Sequence, residues 1–185
     1  VGLSREMVTV ISCELPLVLV LLAVGKAVGG DSVTFSFSAI SAWQLENGSL
    51  ITRAGLIPAA LAMLLVIPGE TGSHPFDTAE AETEICEGLL AEYSGGPFAV
   101  YKLSHAVKLL TMSSLFVALF LGGVTTGMLW LDIVLTLAFC SVVTLVCMSL
   151  LHAISARFRV EQLFKFFWTV VSGLALVSLL LVWFC

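Results

Sequence analysis

The sequence predicts an all-α fold: a polytopic transmembrane helical bundle of about five spans in this chain, with an acidic helix-loop between the second and third. Three observations predict it. Of 185 residues, 59% are hydrophobic and 11% are charged, against roughly 25% charged in soluble domains. The mean hydropathy is +1.08, so the chain lacks the polar surface a soluble core needs. The apolar residues are also gathered into runs approaching the ~20 residues that cross a bilayer.

Taken in order, span A runs from about Met7 to Val28 and span B from about Ala54 to Ile67. Span C runs from about Phe98 to Leu121, D from about Met128 to Leu151, and E from about Phe166 to Phe184. Span B is short, contains Pro58, and is bounded by Arg53 and Pro68; extension to Leu50 or Glu70 gives it a plausible crossing length. Between A and B, residues 29–50 form a polar, Ser-rich linker with a strand-like stretch over Val33–Phe37. Residues 70–97 form the acidic loop, and Gly122–Gly127 a tight uncharged turn. The whole chain reads as one transmembrane domain without internal repeats. It begins at Val1 with no charged leader, so a preceding N-terminal portion is expected.

Five crossings put the start of A, the acidic loop and the D–E connection on one side. That side carries Arg5, Arg157, Arg159 and Lys165, against Lys26 and Arg53 on the other. The positive-inside rule then makes the acidic loop cytoplasmic and the C-terminus external in a multi-pass plasma-membrane protein. Trp43, Trp130, Trp168 and Trp183 are expected as interfacial anchors. No basic patch points to nucleic acid. The five cysteines include no C-x-x-C pair; they read as small buried apolar residues rather than metal or cluster ligands.

The net charge of −5 is unevenly placed. Glu70, Asp77, Glu80, Glu82, Glu84, Glu87 and Glu92 supply seven of the thirteen acidic residues, with no Lys or Arg among them. Pro75 is expected to break the continuation of span B. Asp77 or Thr78 can then cap a new helix with acids in its first turn. On that helix Asp77, Glu80, Glu84 and Glu87 stand at i, i+3, i+7 and i+10, one stripe, with Glu82 on the other side. Like charges so placed repel, and in a low dielectric some hold a proton near neutral pH. That is what a proton relay needs. The plainer alternative is a solvated acidic loop, against which Ile85, Cys86, Leu89 and Leu90 argue by wanting burial.

Glu14 lies about a third of the way into span A, near Arg5 and Glu6. An intramembrane carboxylate costs at least ~2.5 kcal/mol unless it faces the bundle or water, so function is its default reading. In span C, Lys102, His105 and Lys108 stand at i, i+3 and i+6 on one face. They can pair with the acids or form a further proton step, His105 being able to exchange protons near neutral pH; snorkelling is the alternative for Lys102. His152, beside Arg157, is open to either helix-end stabilisation or an ion path.

These residues also carry a resemblance. Glu70-Thr71 followed by Pro75-Phe76-Asp77, then Glu80-Ala81-Glu82, then Glu92-Tyr93-Ser94-Gly95 before a span ending Leu119-Phe120-Leu121-Gly122-Gly123, resembles the H-subunit family of respiratory complex I. The family includes the corresponding subunits of group 4 membrane-bound NiFe hydrogenases. Ser12-Cys13-Glu14 with Pro16 resembles its S-Y-E-x-P motif, and Arg157, Arg159, Glu161-Gln162 and Phe167-Trp168 its approach to the last span. Ser73 replaces the usual Arg, Thr78-Ala79 the usual Leu-Pro, and Cys13 the usual Tyr. These departures fall where complex I borders its quinone cavity and argue against quinone binding, while Arg5-Glu6-Met7 and the run from Glu82 to Gly95 resemble the hydrogenase-type branch.

The resemblance implies a non-catalytic coupling subunit of a ferredoxin-dependent, ion-translocating hydrogenase complex. Glu14, Glu70, Asp77, Glu80, Glu82, Glu84, Glu87, Glu92, Lys102, His105 and Lys108 would relay protons or Na⁺. Arg5, His74, Pro75, Phe76, Tyr93, Arg157 and Arg159 would dock or support the peripheral arm. The chain itself would hold no cofactor, with iron–sulfur clusters and a NiFe centre in partner subunits and antiporter-like subunits alongside. The alternatives are the same subunit in a quinone-reducing complex I or a sulfur-reducing relative, and, from another class, a purely structural anchor for the redox arm. A stand-alone transporter would call for an inverted repeat.

Overall fold

The structure, a computed structural model, describes residues 2–30, 32–73, 75–77, 94–124, 127–150 and 158–184. Every regular element among them is helical. Helix α1 is Gly2–Gly29 and α2 is Phe37–Asn47. Two 3₁₀ turns, Leu50–Thr52 and Ala54–Leu56, lead into α3, Ile57–Glu70. Then come α4, Gly96–Phe120, and α5, Leu129–Leu145, which continues as a π turn over Val146–Leu150. The last helix, α6, covers Val160–Phe184 with a π turn at Phe167–Val171.

Four stretches are long and apolar enough to cross a membrane: Ser4–Gly29, Gly96–Phe120, Leu129–Ser149 and Val160–Phe184. The expected fifth, span B, is the shorter apolar helix Ala54–Glu70. Its three 3₁₀ residues rise about 2 Å each and its fourteen α residues about 1.5 Å each, roughly 27 Å in all against a ~30 Å hydrocarbon core. The 3₁₀ start lengthens it, and Pro58 sits in the first α turn, where its missing N–H leaves nothing unsatisfied. Helix α3 ends at Glu70, well before Pro75. Thr71 donates its backbone N–H to Ile67 O at 3.0 Å, and Gly72 turns the chain at φ +60°, a conformation that favours glycine. The glycine, not the proline, ends the helix.

The expected linker over residues 29–50 is largely a helix. No strand forms over Val33–Phe37; the chain is irregular to Ser36 and then enters α2. Gln44 of α2 is fully buried and its Nε2 donates to Leu119 O at 2.6 Å. It thereby satisfies a carbonyl that the end of α4 leaves unpaired. Gly122 and Gly123 lie so close against Gln44 that a Cβ on either would clash, at 2.4 Å from Gln44 Oε1 and 2.9 Å from Gln44 O.

Helices α1, α3 and α6 form the centre of the bundle. Cys13, Val20, Ala23 and Val24 of α1 pack with Ala59, Ala62, Met63, Val66 and Ile67 of α3, and with Phe167, Val171 and Ala175 of α6. Small residues are prominent, as expected where lipid gives helices no hydrophobic drive to associate and close backbone approach supplies the contacts. Ser178 Oγ of α6 donates to Gly55 O at 2.8 Å across that interface. Helix α5 presents Trp130, Leu131, Val134 and Leu137 outward.

The tightest approach is at Gly69. A Cβ there would lie 2.5 Å from Phe167 Cζ and 2.8 Å from Cys13 Sγ. Beside it, Phe76 is 2% exposed and meets Phe158, Phe166 and Phe167 at ring separations of 5.5, 6.1 and 5.0 Å. The Phe158 N–H donates to Pro75 O at 3.3 Å, tying the turn after α3 to the start of α6. Gly69→Ala is therefore expected to destabilise the protein by about 1–3 kcal/mol through overpacking. Thermal unfolding in detergent checks this, with Gly96→Ala, where a Cβ meets open space, as the comparison.

Candidate functional site

The start of α1, the end of α3 with its following turn, and the first half of α4 meet around a small cavity. It measures about 60 Å³ and is lined, among the described residues, by Glu6 and Val10, by residues 69–72, Phe76 and Asp77, and by Tyr101, His105 and Lys108. That is room for about four waters at roughly 15 Å³ each. A second cavity of about 330 Å³ adjoins it, sharing Asp77 and His105 and bounded further by Ser73 and Met148.

Each polar group arrives for a local reason. Glu70 occupies the last turn of α3, where the helix dipole disfavours negative charge. Lys108 compensates: its Nζ lies 3.0 Å from Glu70 Oε1, with side-chain exposures of 41% for Lys108 and 14% for Glu70. The other oxygen, Glu70 Oε2, is buried and has no hydrogen-bond partner among the described residues. Asp77 is delivered by the turn at Gly72 and by the burial of Phe76 immediately before it. The rings of Tyr101 and His105 stand 4.6 Å apart, one helical turn from each other on α4. Three carboxylates, Glu6, Glu70 and Asp77, thus share a cavity with one ammonium and one imidazole. Such a set can accept, hold and release protons.

Of the residues expected from sequence, Glu70, Asp77, His105 and Lys108 come together here. Glu14 does not. It is exposed on the outer face of α1, in a stripe with Met7, Ile11, Leu15 and Val18. The physical reason is helical phase: Ser12, Cys13 and Pro16 turn inward, and Glu14 falls between them on the opposite side. Lys102 is also outside the cavity, exposed with Nζ 5.6 Å from the Phe98 ring centre, as snorkelling would have it. Pro75 and Phe76 are buried, and Arg5 is half-buried. Arg159 is exposed at the start of α6, its N–H donating to Gln162 Oε1 at 3.3 Å. His74, Glu80, Glu82, Glu84, Glu87, Glu92, Tyr93, His152 and Arg157, with the expected helix over Asp77–Glu87, lie outside the described residues.

Sequence reasoning missed Glu6 and Tyr101. For Tyr101 the signal was present: at ~100° per residue it stands within about 20° of Lys108 on α4, whereas Lys102 is about 120° away. Glu6 was passed over because it lies at the mouth of span A rather than within it.

Cys13, Cys140 and Cys147 are buried, and Cys147 Sγ–H points to Leu64 O at 3.6 Å. No three His, Cys, Asp or Glu side chains among the described residues are grouped to hold a metal.

The bundle and its polar end define a multi-pass helical membrane protein with ionisable groups gathered at one pole. The profile of the NADH dehydrogenase family matches residues 1–183, and the chain belongs to that family. It is 32% identical to NADH-ubiquinone oxidoreductase chain 1 of Sminthopsis macroura, over 100% of this chain and 55% of that protein. It is 35% identical to NADH-quinone oxidoreductase subunit 8 of Thermus thermophilus, over 95% of this chain and 46% of that protein. The chain thus spans about half the length of the curated relatives it matches. Among solved structures it superposes on a chain of the membrane-bound sulfane sulfur reductase, an archaeal respiratory membrane complex. That match has TM-score 0.86 and 27% identity, and covers 98% of this chain and 59% of the other.

The Glu70–Lys108 pair lies between the exposed pairs that contribute ~0–1 kcal/mol and the buried ones whose breaking costs ~3–5. Lys108→Met, which strands Glu70, is expected to cost about 1–3 kcal/mol. Glu70→Gln added to Lys108→Met should recover most of that loss. A double-mutant cycle on thermal unfolding in detergent measures it.

Proposed function

We propose that this chain is the membrane coupling subunit of a complex I-related respiratory oxidoreductase, joining electron transfer in a peripheral arm to ion movement in the membrane. The observation that carries the reading is the convergence of Glu6, Glu70, Asp77, Tyr101, His105 and Lys108 on one cavity of about 60 Å³. The acidic segment begins at Glu70, and the cavity holds its first two carboxylates, Glu70 and Asp77. Glu80, Glu82, Glu84, Glu87 and Glu92 would extend the carboxylate row towards the arm. By the positive-inside count, Arg5, Arg157, Arg159 and Lys165 put this pole in the cytoplasm and the end of α6 outside.

The electron acceptor is of the quinone or sulfur class rather than the proton of a hydrogenase. The named relatives support this: the curated ones are quinone and ubiquinone oxidoreductase subunits, and the superposed structure is a sulfur reductase. This replaces the ferredoxin-linked hydrogenase expected from the resemblance of Arg5-Glu6-Met7 and the run from Glu82 to Gly95. Iron–sulfur cluster proteins and antiporter-like membrane subunits would be its partners, with the redox centres in them.

Glu14 has a place in this scheme as a boundary residue. An ionised carboxylate facing lipid costs at least ~2.5 kcal/mol. The outer face of α1 is therefore read as an interface, covered by a further membrane helix that supplies a hydrogen-bond donor. Charge leaving the cavity would pass along that side.

Proteoliposomes of the purified complex test the reading. Glu70→Gln or His105→Ala is expected to lower ion translocation by roughly tenfold or more, the scale of losing a positioned proton-transfer group. Electron transfer from the arm to a soluble dye should stay within about twofold. Gln at Glu80 and Glu84 together should act in the same way. Undiminished translocation in these variants would overturn the proposal, and loss of the arm from the complex would favour the anchor reading.

A further inference from the structure

At the pole opposite Glu70 the bundle holds a cleft of about 440 Å³, within the size range of ligand pockets. Its lining includes Lys26 of α1, Arg53 between the two 3₁₀ turns, Leu56, and Leu181 and Val182 of α6. Two cations from separate elements thus share one apolar-walled recess. Each rests on an indole: Lys26 Nζ is 4.9 Å from the Trp183 ring centre, and Arg53 Cζ is 4.4 Å from that of Trp43. Lys26 alone would be accounted for by the helix dipole, since it closes the last turn of α1. Arg53 is on no such helix end, and it faces the same recess. Asp31, next to the lining residue Gly30, lies outside the described residues; with it counted, two cations still stand against one carboxylate.

From this cleft an apolar strip descends α6. Leu176, Val177, Leu180 and Leu181 are all exposed, at i and i+4 spacings. Cations at the rim, indoles at headgroup depth and an aliphatic track below match one ligand chemistry: a phosphodiester with acyl chains attached. We propose that the Lys26–Arg53 cleft binds the headgroup of an anionic phospholipid, with its chains along the Leu176–Leu181 face of α6. Arg53 offers a planar fork to the phosphate oxygens and Lys26 a point charge. The bound lipid would join α1, the turn before α3, and α6 at this pole.

The probe is phosphatidylglycerol, with phosphatidylcholine as the zwitterionic comparison. The purified complex is equilibrated with equal amounts of both, washed, and its retained lipid quantified by mass spectrometry. The wild type should retain phosphatidylglycerol in excess. The double variant Lys26→Gln/Arg53→Gln should lose that site's share of the enrichment, by roughly tenfold or more given the pull of each cation on an anionic headgroup. Lys165→Gln, at the other pole, should not. A second measurement needs no variant: photoactivatable phosphatidylglycerol should label peptides containing Lys26 or Leu181 in the wild type, and photoactivatable phosphatidylcholine should not. Equal labelling by both lipids would overturn the proposal, as would unchanged enrichment in the double variant. Displacement of the label by millimolar inorganic phosphate would overturn it too, because a free-anion site would then explain the cations.

Discussion

The closeness of α1, α3 and α6 at Gly69 governs the placement of everything at the polar pole. A glycine there admits Phe167 and Cys13 to distances that a Cβ would forbid. In lipid, helices gain little from hiding apolar surface from one another, so such contacts carry the association. The next residue is Glu70, whose position therefore depends on how deeply α3 seats between its neighbours. Seven residues after Gly69, Phe76 enters the same aromatic packing, which anchors the turn that delivers Asp77. The aromatic cluster and the ionisable cavity are two faces of one joint, one apolar and one polar.

The joint also explains the company that Lys108 keeps. The end of α3 brings a carboxylate to a helix terminus of like sign, a poor arrangement in isolation. Helix α4 supplies the cation from the other wall of the cavity, and its first turns carry Tyr101 and His105 to the same place. Stability and the proposed chemistry would use the same atoms here. Glu70 Oε1 is held by Lys108, while Oε2 is left buried and unpartnered among the described residues. A half-satisfied carboxylate is costly for a fold and useful for a proton carrier.

What could be read from the sequence followed the strength of the signal. Long apolar runs and clustered acids declared the spans and the polar pole, because lipid enforces helices wherever the chain is apolar. Glu70, Asp77, His105 and Lys108 were legible as site residues for the same reason, being ionisable groups beside spans. Helix α2 was not. It follows a polar, serine-containing stretch, and it is held by long-range contacts, the core packing of Ile40 and the bond from Gln44 to the end of α4, which no local pattern announces. Glu14 was legible as an unusual intramembrane acid, but its face was not, since a lone charge in an apolar helix does not show which side packs. Lys102 was grouped by charge where the helical period favoured Tyr101.

The interior of the bundle bears on how charge can leave the cavity. Away from the polar pole, the buried positions of α1 and α3 are Val20, Ala23, Val24, Ala59, Ala62 and Met63. The buried hydroxyls of α6 are engaged with backbone carbonyls, Ser172 with Trp168 O and Ser178 with Gly55 O. Among the described residues no Asp, Glu, His, Lys or Arg side chain is buried between the Glu70 cavity and the Lys26–Arg53 cleft. In the proposed role, a proton at Glu70 would meet an apolar column if it continued straight through the described part of this chain, and unpaired charge there is prohibitively expensive. The lower-energy exit would be sideways, through groups at the same depth on neighbouring subunits, with the outward Glu14 at that boundary. On the proposed reading, this arrangement fits a subunit that hands charge to others better than one that carries ions across the membrane by itself.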